Sequence, residues 1–232
     1  MHNYHVVIPA AGQGKRMNAG KNKQFLMIDQ VPLLIHTLRV FEEDLLCSEI
    51  ILSVNESEVK VIKKLIEDYE ITKVGKIVTG GKERQQSVYE GLKAIQGNPI
   101  VLIHDGARPF IRIETVHRLI ATLEQDRRAV VGVPVKDTIK QVQKNKITAT
   151  VDRSSLWSIQ TPQAFHLDEI IHAHQLAIQN QFAVTDDASL MENLNLPVAI
   201  VEGDYENFKV TTPEDLLFAE AIIQKRKGES NK

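Results

Sequence analysis

The chain has 232 residues, with 28 Lys and Arg against 30 Asp and Glu, a formal net charge of −2 and 43% hydrophobic residues. A chain of that size buries roughly 70–75% of the surface it exposes when unfolded, so a core can form without staples. The balanced charge excludes a global basic field for bulk nucleic-acid binding, and no apolar run reaches membrane-spanning length. The single cysteine, Cys47, excludes an intrachain disulfide and fits a reducing, cytoplasmic setting. It reads as a small buried apolar residue.

In chain order, the β-branched run His5–Ile8 predicts a first strand. It is followed by PAAGQGKRM, residues 9–17. Gly12 and Gly14 lack a Cβ, so successive backbone N–H groups can close on an anion. Lys15 and Arg16 add charge, and Arg16 offers a planar fork to phosphate. The carboxyl end of the first strand of an α/β sheet is also where a ligand loop is expected. The alternative is a tight surface turn with solvated ends. A dinucleotide fingerprint fails because Met17 stands at the third glycine position, and a Walker loop fails because Glu83 follows GGK at 80–82. Lys23, in KQF, is placed to reach back to the same anion.

Beyond that loop, helix-like windows at Pro32–Glu43, Ser57–Tyr69, Glu83–Ile95, Ile113–Glu124, Leu167–Asn180 and Pro213–Lys225 alternate with strand-like runs. The runs lie at Ile50–Val54, Lys76–Thr79, Ile100–His104, Ala129–Val135 and Val198–Val201. Within the second window Val59, Ile62, Leu65 and Ile66 recur at helical spacing. Apolar strands separated by helices predict a mostly parallel sheet covered on both faces. One segment breaks the rhythm. KDTIKQVQKNKITATVDR, residues 136–153, reads as two short strands around a polar turn at Lys144–Lys146. A lone hairpin is marginal in water, so it must rest on another body or lie at the edge of the main sheet.

Asp105 ends the apolar run Ile100–Ile103 and precedes Gly106 and Ala107, where one carboxylate would suit Mg²⁺. The same residue could instead form a turn or helix cap. Arg108 could pair with phosphate or with a local carboxylate. Thr211, Thr212 and Pro213 read as a helix start with Glu214 and Asp215 in its first turn. Asp186 and Asp187 read as cap residues. His172 and His174, two apart on a helix, point in different directions and cannot share a metal. His104 reads as a partly buried strand residue, and Trp157, Gln160 and Gln163 as supports for the strand after the hairpin.

AAGQGKRM followed by KQF resembles the signature of nucleotidyltransferases that activate sugars and alditols. GGKERQQSVYEGL at 80–92, IHDGARPF at 103–110, LWSIQTPQAF at 156–165, VTDDASLMENL at 184–194 and ENFKVTTPEDLLFAEAI at 206–222 sharpen the likeness. Together they are similar to the 2-C-methyl-D-erythritol 4-phosphate cytidylyltransferases of the non-mevalonate isoprenoid pathway, over residues 4–222. Asn22 departs from that pattern, which carries proline before the Lys-Gln pair.

The resemblance implies a Rossmann-like three-layer α/β nucleotidyltransferase fold with a mostly parallel sheet. It implies a single domain over residues 1–232, with residues 136–155 as a protruding β-arm exchanged between the subunits of a homodimer. The implied reaction joins CTP to the alditol phosphate and releases pyrophosphate. Arg16 and Lys23 would neutralise the crowded phosphates, and Arg153 and Lys209 would hold the alditol phosphate. Pro9, Ala10, Ala11, Gly12, Gly14, Gly81, Ser87, Asp105 and Gly106 would surround the nucleotide, with Asp105 carrying Mg²⁺. Arg108, Thr138 and Thr185 would complete the alditol-phosphate side. Three alternatives remain open: a ribitol-phosphate cytidylyltransferase, a nucleotide-binding homologue without activity, and a hydride-transferring dehydrogenase, which the loop chemistry disfavours.

Overall fold

A computed structural model describes residues 2–12, 22–182 and 184–230. The elements run β1 (Tyr4–Pro9), β2 (Met27–Ile28), β3 (Val31–Pro32), α1 (Leu33–Glu43), β4 (Cys47–Val54), α2 (Val59–Asp68), β5 (Val74–Thr79), α3 (Arg84–Lys93) and β6 (Ile100–Ile103). They continue with α4 (Ile113–Asp126), β7 (Arg128–Pro134), β8 (Ile139–Gln143), β9 (Lys146–Val151), β10 (Trp157–His166), α5 (Leu167–Gln179), α6 (Ala188–Glu192), β11 (Ala199–Glu202) and α7 (Pro213–Ser230). Seven strands form one sheet in the order β11-β7-β10-β6-β1-β4-β5. Every neighbouring pair is parallel except those made by β10, which runs antiparallel to both β6 and β7.

Strand alternation builds the two cores. In β1, Tyr4, Val6 and Ile8 face α1, α2 and α4, while Val7 faces α3, α5 and α6. β4 repeats the pattern, with Ile50, Leu52 and Val54 on the first side and Ile51 on the second. All seven of these side chains other than the wholly buried Tyr4 are aliphatic, and none is exposed. Strands buried on both faces explain the near-continuous apolar runs of the sequence. A third, smaller cluster joins Ile28 and Leu33 to Phe110, Val210, Ala219 and Ile223, which fastens α7 beside the carboxyl ends of the central strands.

Several expected boundaries shift for local reasons. The helix expected from Ser57 begins at Val59, because Glu56–Glu58 forms a 3-10 turn whose Asn55 side chain accepts the Ser57 amide at 3.0 Å. The strand expected from Ile50 begins at Cys47, which is buried and stands in register with Tyr4 of β1. β10 carries Gln160, Thr161 and Gln163 among its apolar residues, so it lacks the run that marked the other strands. The hairpin β2–β3 and the one-turn helix α6 are too short to leave a periodic signal. Segment 136–153 is not an edge of the main sheet: β8 and β9 form their own two-stranded sheet. Lys144 and Asn145 take positive φ at its turn, as a two-residue hairpin connection requires. Val142 and Ile147, partners across that ladder, are 60% and 67% exposed.

One close approach sets the distance between helix and sheet near the cleft. A Cβ on Gly91 of α3 would lie 2.5 Å from Val7 Cγ1 and 2.8 Å from Ser53 Oγ. Alanine would improve helix propensity by roughly 0.5–1 kcal/mol, but overpacking of this kind costs about 1–3 kcal/mol. Gly91→Ala should therefore lower the thermal midpoint by several degrees, read by calorimetry.

Candidate active site

Parallel strands end together, and the loops after β1, β5 and β6 meet the segment before α7 at that edge. A cleft there is lined by Pro9, Ala11, Gly12, Lys23, Gln24, Gly81, Lys82, Glu83, Arg84, Ser87, Asp105, Gly106, Ala107 and Lys209. Residues from four distant parts of the sequence thus share one wall. Pro9 ends β1, and Lys23 sits in a 3-10 turn whose register is kept by the Leu26 amide donating to its carbonyl at 3.1 Å. Asn22 binds both Glu58 oxygens through Nδ2, at 2.8 and 3.0 Å. A side chain that proline could not supply therefore ties the entry of this turn to the start of α2.

The helix α3 brings the 80–92 segment to the cleft. Glu83 and Gln86 form a reciprocal capping box at its N-terminus. The Gly81 amide donates to Ser87 Oγ at 3.1 Å, and Ser87 Oγ donates to the Glu83 carbonyl at 3.0 Å. A Cβ on Gly80 would meet Ala11 Cβ at 2.7 Å, so this turn lies directly against the loop after β1. The first helical residue, Arg84, points across to Asp105.

Asp105 is the centre of charge. Arg84 Nε lies 3.0 Å from its Oδ1, Lys209 Nζ 2.7 Å from Oδ2, and Arg108 Nε 3.6 Å from Oδ2. Burial alone would push this carboxyl up, but Arg84, Lys209 and Arg108 outweigh burial and hold it well below the usual carboxylate range. The other end of Arg84 reaches Asp187, with Nη1 2.8 Å from Oδ2. An alternating row therefore crosses the floor: Asp187, Arg84, Asp105, Lys209.

The backbone beneath Asp105 is fixed separately. Its amide donates to Thr161 Oγ1 at 3.0 Å, and Thr161 Oγ1 lies 3.2 Å from His104 Nδ1. His104 Nε2 is 3.0 Å from the Arg108 carbonyl, which can only accept. That places the ring proton on Nε2, so Thr161 donates to Nδ1 and keeps a lone pair for Asp105. Burial pushes His104 down to about 4, and the ring is neutral at pH 7. It is fully buried, where the sequence predicts partial burial. Asn207 donates to Gln160 Oε1 at 2.9 Å and to the Thr161 carbonyl at 3.0 Å, and its own carbonyl accepts from Arg108 Nη1 at 2.8 Å. Gln163 accepts the Ala188 amide at 2.9 Å and donates to Asp186 Oδ2 at 2.8 Å. Gln160 and Gln163 thus tie β10 to the segments flanking the cleft.

Of the residues expected at the site, Pro9, Ala11, Gly12, Lys23, Gly81, Ser87, Asp105, Gly106 and Lys209 share the cleft. Ala10 does not line it: its side chain is buried in the core and its amide donates to the Ser53 carbonyl at 2.7 Å. Arg108 stands behind Asp105 as its partner. Arg153, Thr138 and Thr185 do not line the cleft of this chain; Thr138 and Thr185 are exposed, and exposed Arg153 donates to the Lys136 carbonyl at the root of the arm. Gly14 and Arg16 lie outside the described residues. Arg84 was not anticipated, because a Glu-Arg pair opening a helix reads as a solvated start. Asp187, expected as a cap, is 1% exposed and meets Arg84.

Whether Asp105 suits Mg²⁺ turns on its neighbours. Among the described residues no group of three His, Cys, Asp or Glu side chains gathers as a metal cage. One carboxylate facing a cleft is enough for Mg²⁺ when a nucleotide supplies most of its oxygens, and Asp105 fits that donor set if Lys209 passes its charge to a phosphate.

His174 of α5 is fully buried, stacks on Tyr89 at 5.5 Å, and places Nε2 3.8 Å from Asp187 Oδ1. Burial and then the Arg84 charge push it down to about 4, so it is neutral at pH 7. The unfolded chain binds this proton near pH 6.5, and the folded chain only near pH 4. Stability from this group is therefore complete above pH 6.5 and falls as the pH drops through that window, by on the order of 3 kcal/mol. The thermal midpoint of His174→Phe should fall less steeply between pH 7 and pH 4 than that of the parent; parallel curves would contradict this assignment.

A sequence model of a family described as 2-C-methyl-D-erythritol 4-phosphate cytidylyltransferase matches residues 4–225. A relative of that description from Halalkalibacterium halodurans is 54% identical over 223 residues, covering 96% of this chain and 98% of the relative. One from Geobacillus kaustophilus is 52% identical over 227 residues, covering 98% and 100%. Among solved structures, the 4-diphosphocytidyl-2C-methyl-D-erythritol synthase of Anaerococcus prevotii superposes with a TM-score of 0.84 at 32% identity, covering 96% of each chain. The 2-C-methyl-D-erythritol 4-phosphate cytidylyltransferase of Thermus thermophilus gives 0.79 at 33% identity, covering 97% of this chain and all of that one.

Proposed function

This chain belongs to the 2-C-methyl-D-erythritol 4-phosphate cytidylyltransferase family, and from that premise we propose how its cleft works. The enzyme transfers CMP from CTP to 2-C-methyl-D-erythritol 4-phosphate in isoprenoid precursor biosynthesis, giving 4-diphosphocytidyl-2-C-methyl-D-erythritol and pyrophosphate. The observation that carries the mechanism is the meeting of Lys23, Asp105 and Lys209 on one cleft whose other walls are the backbone of Gly12 and Gly81.

An oxygen of the alditol phosphate forms a bond to the α-phosphorus of CTP, and the bond from that phosphorus to the bridging oxygen of pyrophosphate breaks. Both reactants are anions, so repulsion is the main obstacle, and catalysis consists of placement and charge neutralisation. Gly81 and Ser87 bound the base side of the cleft, where the capped start of α3 presents peptide groups at close range. Lys23, together with Arg16, neutralises the α-phosphate and the departing pyrophosphate. Lys209 holds the incoming alditol phosphate, released in part from Asp105 as that phosphate arrives. Mg²⁺, carried in with CTP and held by Asp105, would supply Lewis-acid stabilisation of the triphosphate oxygens.

The exposed Val142 and Ile147 of the arm support a homodimer, in which a partner copy covers them and Arg153 at the arm root serves the partner's cleft together with Thr138. Thr185, two residues before Asp187 in the chain, would add a hydroxyl donor for the alditol phosphate. Among the described residues no helix is long and apolar enough to cross a membrane, and the free Cys47 supports a cytoplasmic setting.

Pyrophosphate release with CTP should proceed with 2-C-methyl-D-erythritol 4-phosphate and be at least tenfold slower with ribitol 5-phosphate, and chelation with EDTA should abolish it. Lys23→Ala should lower kcat by about 10²–10³; a loss under threefold would remove Lys23 from the proposed role. Light scattering should give a dimer for the intact chain. Deletion of residues 139–150 should give a monomer of strongly reduced activity, whereas a fully active monomer would sink the shared-site proposal.

A further inference from the structure

Two charged groups, one on the cleft floor and one buried beneath it, have no part in the scheme above. Arg84 and Asp187 come from opposite sides of the sheet order, one opening α3 and the other preceding α6, yet they meet at 2.8 Å. Asp187 is 1% exposed and is not among the residues that line the cleft. It therefore has no route to substrate and acts, if at all, through Arg84. Arg84 is the bridge: its Nε faces Asp105 Oδ1 at 3.0 Å while its Nη1 faces Asp187. A planar guanidinium can hold two carboxylates in fixed relative orientation, which a lysine ammonium cannot. Asp105 in turn offers its second oxygen to Lys209 at 2.7 Å. The free rotation of the Asp105 carboxylate is thereby removed from one side, and the position of the Lys209 ammonium is set from the other.

We propose that Arg84 is a positioning residue for cytidylyl transfer, anchored by buried Asp187, and that it orients Asp105 so that Lys209 stands where the alditol phosphate must dock. The assignment rests on the reading of Lys209 given above. It also connects the two halves of the cleft. The helix that begins with Arg84 carries Ser87 beside the nucleotide side, so the base wall and the alditol-phosphate wall are joined through one side chain. The competing role is direct contact with a ligand oxygen, since Arg84 lines the cleft and its Nη2 has no hydrogen-bond partner among the described residues.

Asp187 separates the two roles. Steady-state kinetics on Arg84→Gln, Arg84→Lys, Asp187→Asn and the double variant Arg84→Gln/Asp187→Asn should show a common pattern, with calorimetry confirming that each is folded. Arg84→Gln should lose about 10–100-fold in kcat/KM for the alditol phosphate, by analogy with removal of a residue that orients a ligating side chain. The KM for CTP should change less than about threefold, and Arg84→Lys should recover part of the loss. Asp187→Asn should fall in the same parameter, and the double variant should be no worse than Arg84→Gln alone, because coupled residues are not additive. If Asp187→Asn turns over like the parent while Arg84→Gln does not, Arg84 touches substrate and the positioning role is overturned. If both single variants keep parental kinetics, Arg84 has no part in the reaction. Failure of the unmodified enzyme to turn over would instead sink the preceding reading.

Discussion

The site is organised by the shielding of one buried carboxylate. Asp105 stands at the end of a wholly apolar strand, where an unpaired charge would cost several kcal/mol. Three cations from the sequence regions 84, 108 and 209 meet it there. Each of those cations must also be held, and the holders are Asp187, the Asn207 carbonyl and the Asp105 oxygens themselves. Satisfying one group therefore recruits the starts of α3 and α6, the end of β6 and the segment before α7. In a buried ion-pair network of this kind the members constrain one another's geometry. What makes the floor stable is also what makes it precise enough to receive two anions.

The surplus of positive charge has a chemical use. Counting Asp187 and Asp105 against Arg84, Arg108 and Lys209, this cluster holds one more cation than carboxylate. On the mechanism proposed above, phosphate groups entering the cleft would complete the pairing rather than disturb it. Because its donors are already oriented, little reorganisation remains for the moment of reaction.

Much of this was legible in the sequence, for identifiable reasons. The strands of the central sheet are buried on both faces and announce themselves as apolar runs; Gly12, Gly81 and Asp105 sit at their ends, where ligand loops are expected. A strand after the hairpin was expected, but the bounds of β10 escaped because its middle carries Gln160, Thr161 and Gln163, whose polarity is satisfied by partners at Asn207, His104, Asp186 and Ala188 that no local window contains. Arg84 and Asp187 escaped for the same reason. Each looks like a helix-start residue alone, and only the three-dimensional meeting at 2.8 Å gives them a shared meaning. Ala10 went the other way: its place in a motif suggested contact with the nucleotide, while strand alternation sends its side chain into the core.

The single reversed strand has a geometric consequence. Since β7 and β6 point the same way and β10 returns between them, the chain leaves the sheet after Pro134 and re-enters at Trp157 along one rim. That rim is the one where β1 and β6 also terminate. A β10 laid parallel would have forced a crossover to the far side before the chain re-entered the sheet. By doubling back, the topology launches the β8–β9 finger from the lip of the reaction chamber, with Tyr205 Oη clasping the Pro134 carbonyl at 2.7 Å to brace its base.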